Sequence, residues 1–161
     1  MIKRILLALL AITLVAQFFQ PDRSAPAIDP AKDMLAMTNA PADIQALVVG
    51  ACYDCHSDRT DYPFWAYVTP INFIIQRHID EGREELNYSR WDLFAGSEHA
   101  AKSGEEVAEG EMPPANYARM HGHAQLSGAQ KDQLIAWLNA TMGEAGHGEA
   151  GHDESDDDDD D

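Results

Sequence analysis

The chain has 161 residues, a net charge of −17 and only two cysteines. A chain this acidic lacks the basic footprint that nucleic-acid phosphates demand. Two cysteines cannot build a disulfide scaffold or an all-thiolate zinc site, which takes four, and the length suits one domain between dispensable ends.

The elements are read in chain order. Met1 to Gln20 opens with Lys3 and Arg4 and then runs apolar to Phe19. Such a leader is either an uncleaved anchor or a cleaved signal peptide. Ile5 to Phe19 would be about 22 Å as a helix, against a hydrocarbon core of ~30 Å. Starting at Ile2 and snorkelling the two cations makes up most of the difference. Ala25-Pro26-Ala27 lies far from the apolar run and contains proline, which disfavours it as a cleavage site. The leader is therefore expected to be a transmembrane anchor, with everything after Phe19 exported to the periplasmic side. Residues 21–41 hold four prolines among small and polar residues, and read as a linker that lifts the domain off the membrane.

Residues 42–142 should form the folded domain. Ile44, Leu47, Val48 and Ala51 repeat at helical spacing, and Cys52 and Cys55 continue the stripe. Cys52-Tyr53-Asp54-Cys55-His56 reads C-x-x-C-H, the attachment signature of a covalent haem. The spacing lets two thiols bond one edge of the porphyrin and carries His56 under the ring as proximal ligand to the iron. A bare C-x-x-C would be open to a dithiol redox pair or half a zinc site. The adjacent histidine and the stripe favour one covalently attached haem c.

Residues 57–69 form an aromatic loop containing Tyr62, Phe64, Trp65 and Tyr67, which can fill the core edge or wall the haem. Pro70 suits the first turn of a helix that runs to Leu86. Ile71, Ile74, Ile75, His78, Ile79, Gly82 and Leu86 share one stripe, so a buried face is expected there. His78 on that face is either a satisfied core residue, an iron ligand or a distal hydrogen-bond donor. A turn spans Asn87 to Trp91, with Ser89 as a candidate cap. A helix over Ser97–Glu109 presents a small face of Ala100, Ala101, Gly104, Val107 and Ala108, suited to close approach by the ring or another helix. Glu111-Met112-Pro113-Pro114 interrupts helicity, and a loop with His121 and His123 follows. Ser127 and Gln130 form a capping box for a last helix that buries Leu134, Trp137, Leu138 and Thr141 and ends at Gly143. Residues 143–161 repeat Gly-Glu-Ala-Gly-His and end in six aspartates, which marks a disordered acidic tail.

The iron's sixth position has Met112, His78, His121, His123 and Met120 as candidates. Met112 is the choice, because Pro113 and Pro114 stiffen a loop able to bring its thioether to the ring. A thioether stabilises ferrous iron and suits electron transfer. The alternative ligand is His78.

Taken together, Cys52 to His56, then Met112-Pro113, then Leu126-Ser127 into Leu134, Trp137 and Leu138 resemble class I c-type cytochromes. More narrowly, the chain is similar to bacterial haem-binding-domain proteins. The likeness rests on Gln17-Phe18-Phe19-Gln20-Pro21, Ala51 to Ser57, Tyr62-Pro63-Phe64-Trp65, His78 to Asn87, Ser89-Arg90-Trp91 and Gly110 to Pro113, in that order. It implies an all-α, cytochrome c-like, single-haem, exported domain. The expected function is a membrane-anchored electron carrier that exchanges electrons with redox partner proteins, basic ones suiting the acidic chain. A haem enzyme or a gas or redox sensor with an open or His78-lined distal face is the alternative.

Overall fold

A computed structural model describes residues 1–142, so the acidic tail expected at 143–161 lies outside the described residues. Those residues are helical, with no strand among them.

Helix α1 (Ile2–Ala16) is apolar on every side and buries no residue. The transmembrane helix expected through Phe19 is not found: among the described residues no helix is long and apolar enough to cross a membrane. The helix stops early for local reasons. Phe18 and Phe19 tighten into bonds to the carbonyls of Val15 and Ala16, three residues back, and Pro21 biases Gln20 out of the helical region. The Gln17 side chain also turns toward Thr69, where its carbonyl oxygen accepts from the Thr69 N–H at 3.0 Å.

The stretch 21–41, expected as a free linker, is instead a strap against the domain. It contains a 3-10 turn (Pro30–Lys32) and helix α2 (Met34–Met37), whose starts are capped by the carboxylates of Asp29 and Asp33. Met34 is fully buried in the core cluster. Arg23 donates to the Ala66 carbonyl at 2.8 Å, and its guanidinium lies 4.5 Å from the centre of the Tyr67 ring. Proline spacing concealed this, because the burial comes from a short run late in the stretch, Met34 and Ala40 entering the core and Leu35 packing against it.

Helix α3 (Ala42–Ala51) buries Ile44, Leu47, Val48 and Ala51 as its periodicity requires. The backbone breaks at Cys52 and restarts as α4 (Tyr53–His56). The expected loop contains a 3-10 turn (Phe64–Tyr67), and α5 (Ile71–Glu85) follows Pro70. The stripe on α5 departs from the expectation. Ile79 and Leu86 are buried, but Ile71, Ile74 and His78 are exposed. Asn72 and Gln76 take interior positions instead. The first half of the stripe faces solvent and the cavity, whereas Gly82 packs against α4 and Leu86 enters the core.

After a 3-10 turn (Tyr88–Arg90) and α6 (Trp91–Phe94), α7 (Glu98–Glu109) starts at Ser97, whose hydroxyl accepts from the Ala100 N–H. It ends on Gly110, where φ of 82° is a conformation glycine adopts without penalty. Helix α8 (Ala115–Met120) occupies what was expected to be loop. The last helix, α9 (Gly128–Met142), carries both bonds of its capping box. Its core positions are Leu134, Leu138 and Met142, with Trp137 partly buried. Helices α7 and α9 form the main packed pair. The small face of α7 serves this pairing: a Cβ on Gly104 would collide with the Asn139 side chain.

Candidate functional site

A cavity of about 410 Å³ opens between α4, α5, α8 and the aromatic segment. Cys52, Cys55, His56, His78, Met112 and His121 all line it. Tyr62, Pro63, Trp65, Ile75, Ile79 and Met120 supply an apolar wall. The sequence candidates therefore converge, with one exception. His123 lies with Gly50 and Tyr53 along a separate groove.

His56 is held by its back nitrogen. Nδ1 lies 2.9 Å from the Gly82 carbonyl and 3.0 Å from that of Leu86. Carbonyls only accept, so Nδ1 carries the hydrogen and Nε2 keeps a bare lone pair. This is the tautomer a metal-bound imidazole needs, with the outer hydrogen bond raising its basicity. Gly82 lets α5 come this close, since a Cβ there would sit 3.0 Å from the Cys55 carbonyl oxygen.

The residues following the motif are fixed just as firmly. Arg83 donates through Nε to the Ser57 carbonyl at 2.8 Å and through Nη2 to Thr60 Oγ1 at 2.9 Å. Asp58 is buried; it accepts from Asn87 Nδ2 at 2.9 Å and faces Arg90 Nε at 3.3 Å. Its backbone N–H donates to Ser89 Oγ. Inside the motif, Tyr53 donates to Asp33 Oδ1 at 2.6 Å, tying α4 to the strap. Thus Gly82, Arg83, Asn87 and Ser89 have physical work in holding residues 56–58.

Burial pushes the Cys52 thiol up to about 12, with Cys55 adding to the shift. Burial also pushes Cys55 up to about 11, helped by Asp54 and opposed by Arg83. Both sulfurs thus keep their protons at neutral pH, the reverse of a dithiol oxidoreductase, whose site stabilises a thiolate. Among the described residues, no three His, Cys, Asp or Glu side chains converge to hold a metal ion.

Three segments bring candidates to the cavity besides His56. Met112 follows the α7 terminus, where its N–H donates to the Glu106 carbonyl at 3.0 Å and its side chain packs on the core. His78 stands on α5 and is exposed. His121 follows α8, and its Nδ1 donates to the Tyr117 carbonyl at 3.0 Å, so its Nε2 is also bare. Its ring stacks on Tyr117 at 4.1 Å.

Sequence reasoning missed Tyr117. Its hydroxyl donates to Asp54 Oδ2 at 2.6 Å, linking α8 to the motif. Burial, then the bond to Asp54, raises its pKa, and it stays protonated. No spacing rule connects positions 54 and 117. The available signal was Pro114, which opens the short helix.

The haem-binding domain model matches residues 11–140. The chain belongs to the haem-binding domain family. No curated protein and no solved structure matches it. As a member of this family the chain is a haem protein, and its cavity fits that group on its own chemistry. It offers an imidazole with its free nitrogen prepared, an aromatic and aliphatic wall, and further sulfur and imidazole donors. When bound, the iron supplies reversible one-electron chemistry.

Proposed function

We propose that the chain is an exported monohaem c-type cytochrome that carries single electrons. Cys52 and Cys55 tether the haem covalently, His56 holds the iron proximally and Met112 closes the distal side. The observation that carries this reading is the pinned His56 Nδ1, which leaves Nε2 free in the cavity that Cys52, Cys55 and Met112 also line. The protonated, buried thiols support a role as attachment points rather than exchanging dithiols. The apolar segment to Phe19, exposed and preceded by Lys3 and Arg4, supports anchoring on the periplasmic face of the inner membrane. Redox partner proteins with basic surfaces suit the acidic charge balance.

Absorption spectra test the assignment. Acid extraction should leave the haem on the protein, and free haem in the extract refutes covalent attachment. The oxidised protein should show a weak far-red thioether-to-iron band that Met112→Ala abolishes. A high-spin spectrum in the unsubstituted protein refutes Met112 as ligand.

A second reading has its own observation: His78 and His121 line the same cavity as Met112. With Met112 off the iron, either imidazole could donate or accept a proton in a haem enzyme or gas or redox sensor. Carbon monoxide binding to the reduced, unsubstituted protein at an open site would favour it.

A further inference from the structure

We propose that the domain rests directly on the bilayer, with residues 64–74 in the lipid interface and the haem cavity opening beside it. This rests on the reading of residues 1–20 as a membrane anchor, and goes beyond it by placing the domain. Six large apolar side chains in this short stretch are exposed: Phe64, Tyr67, Val68, Ile71, Phe73 and Ile74, with Phe64 at 83% and Ile74 at 57%. So many in one patch mark a contact surface rather than scatter.

The patch lies at the foot of α1 and is tied to it. Gln17 Oε1 accepts from the Thr69 N–H at 3.0 Å, and Thr69 Oγ1 donates to the Ala16 carbonyl at 3.3 Å. Gln20 Nε2 donates to the Tyr67 carbonyl at 3.3 Å, while its Oε1 accepts from Asn72 Nδ2 at 3.1 Å. With Arg23 on the Ala66 carbonyl, these bonds leave no slack between helix and patch. A domain lifted away on a linker would lack them.

The occupant is lipid because the patch is continuous with α1, which is apolar all round and buries none of its residues. One flat protein face cannot cover such a helix. Lys3 and Arg4 on α1 suit anionic headgroups. Tyr67, half exposed within the patch, is a residue type that sits at membrane–water boundaries. Along α5 the exposed stripe passes from Ile71 and Ile74 to Ile75 and His78, which line the haem cavity. The cavity wall therefore continues from the lipid-facing surface.

The test uses the full, haem-loaded chain in phosphatidylethanolamine–phosphatidylglycerol vesicles containing a lipid with a diazirine near its headgroup. After irradiation, adducts are mapped by peptide mass spectrometry. Adducts are expected both in residues 2–19 and in 64–74. The double variant Phe64→Glu, Ile74→Glu should lose the second set and keep the first, with its Soret spectrum reporting an intact fold. Adducts in 2–19 alone would overturn the proposal while leaving the anchor. Adducts in neither would overturn the anchor reading and this one with it. Cross-links joining two copies through 64–74, without lipid adducts there, would assign the patch to a second chain and overturn the proposal.

Discussion

Gly82→Ala puts the proximal side of the site to the test. In the last turn of α5, alanine for glycine should stabilise the helix by up to about 1 kcal/mol on propensity alone. At this position the new Cβ meets the Cys55 carbonyl oxygen at 3.0 Å and the Cys55 carbonyl carbon and Cβ at 3.4 Å. These are mostly backbone atoms of the motif, so α5 must withdraw by a few tenths of an ångström. Overpacking of this kind costs about 1–3 kcal/mol. The net expectation is a loss of up to about 2 kcal/mol, lowering the melting temperature by several degrees. The same withdrawal lengthens the 2.9 Å bond from His56 Nδ1 to the Gly82 carbonyl. A weaker outer hydrogen bond makes the imidazole a poorer donor, so the reduction potential should rise. Thermal denaturation and redox titration of the haem-loaded protein measure the two effects. Gly128→Ala is the control, since nothing lies within 4 Å of its added Cβ. The reasoning fails if Gly82→Ala matches the control in stability and keeps the potential of the unsubstituted protein.

Further outcomes follow from neighbouring contacts. Asp58→Asn keeps the shape but removes the charge facing Arg90 and Arg83; as Arg90 is half exposed, the loss should be about 1–2 kcal/mol, read by chemical denaturation. Tyr117→Phe removes the 2.6 Å bond to Asp54 and should cost about 1–2 kcal/mol, while preserving the stack on His121 and hence the haem spectrum. In the haem-free protein both thiols titrate above their ordinary 9.0, so the folded state holds protons that the unfolded state releases. Stability present below pH 9 should therefore fall as pH rises toward 11 and 12. Between pH 9 and 10 the fall should be smaller both in Cys52→Ser, Cys55→Ser and once the sulfurs are thioethers, the remainder coming from Tyr53, Tyr88 and Tyr117, whose pKa values folding also raises. Equal slopes in all three forms would contradict it.

Much of the fold is legible locally. Helices α3, α5, α7 and α9 announce themselves through apolar spacing, a proline start, a serine cap and a capping box. The C-x-x-C-H run with its incoming helix pointed to haem, and the family match agrees at that level. What escaped depends on contacts between distant positions. The short apolar run Met34-Leu35-Ala36-Met37 sits among prolines, and only the burial of Met34 and Ala40 beneath the domain reveals the strap. The α5 stripe has helical periodicity whether it faces protein, cavity or lipid, so His78 could not be assigned to a side. Gly82 looked like one small residue in a stripe; its importance comes from the Cys55 carbonyl against it and the imidazole bonded to its own.

The two sides of the cavity are built on different principles. On the side proposed as proximal, His56 is over-determined: two carbonyls hold its ring, and Arg83, Asn87 and Ser89 hold the residues just after it. Under the proposed ligation, a ring this constrained would change position little between oxidation states, which suits the proposed electron-carrying role. On the distal side, Met112, His78 and His121 arrive on three separate segments. His121 is prepared as His56 is, with Nδ1 committed to a carbonyl, whereas Met112 is placed by packing and by the turn after α7. The donors pull the iron in opposite directions, because a thioether favours the ferrous state and a basic imidazole the ferric. The shift in potential in His121→Ala therefore discriminates between them. Loss of imidazole ligation would raise it, whereas a Met112-ligated iron would keep both its potential and its far-red band.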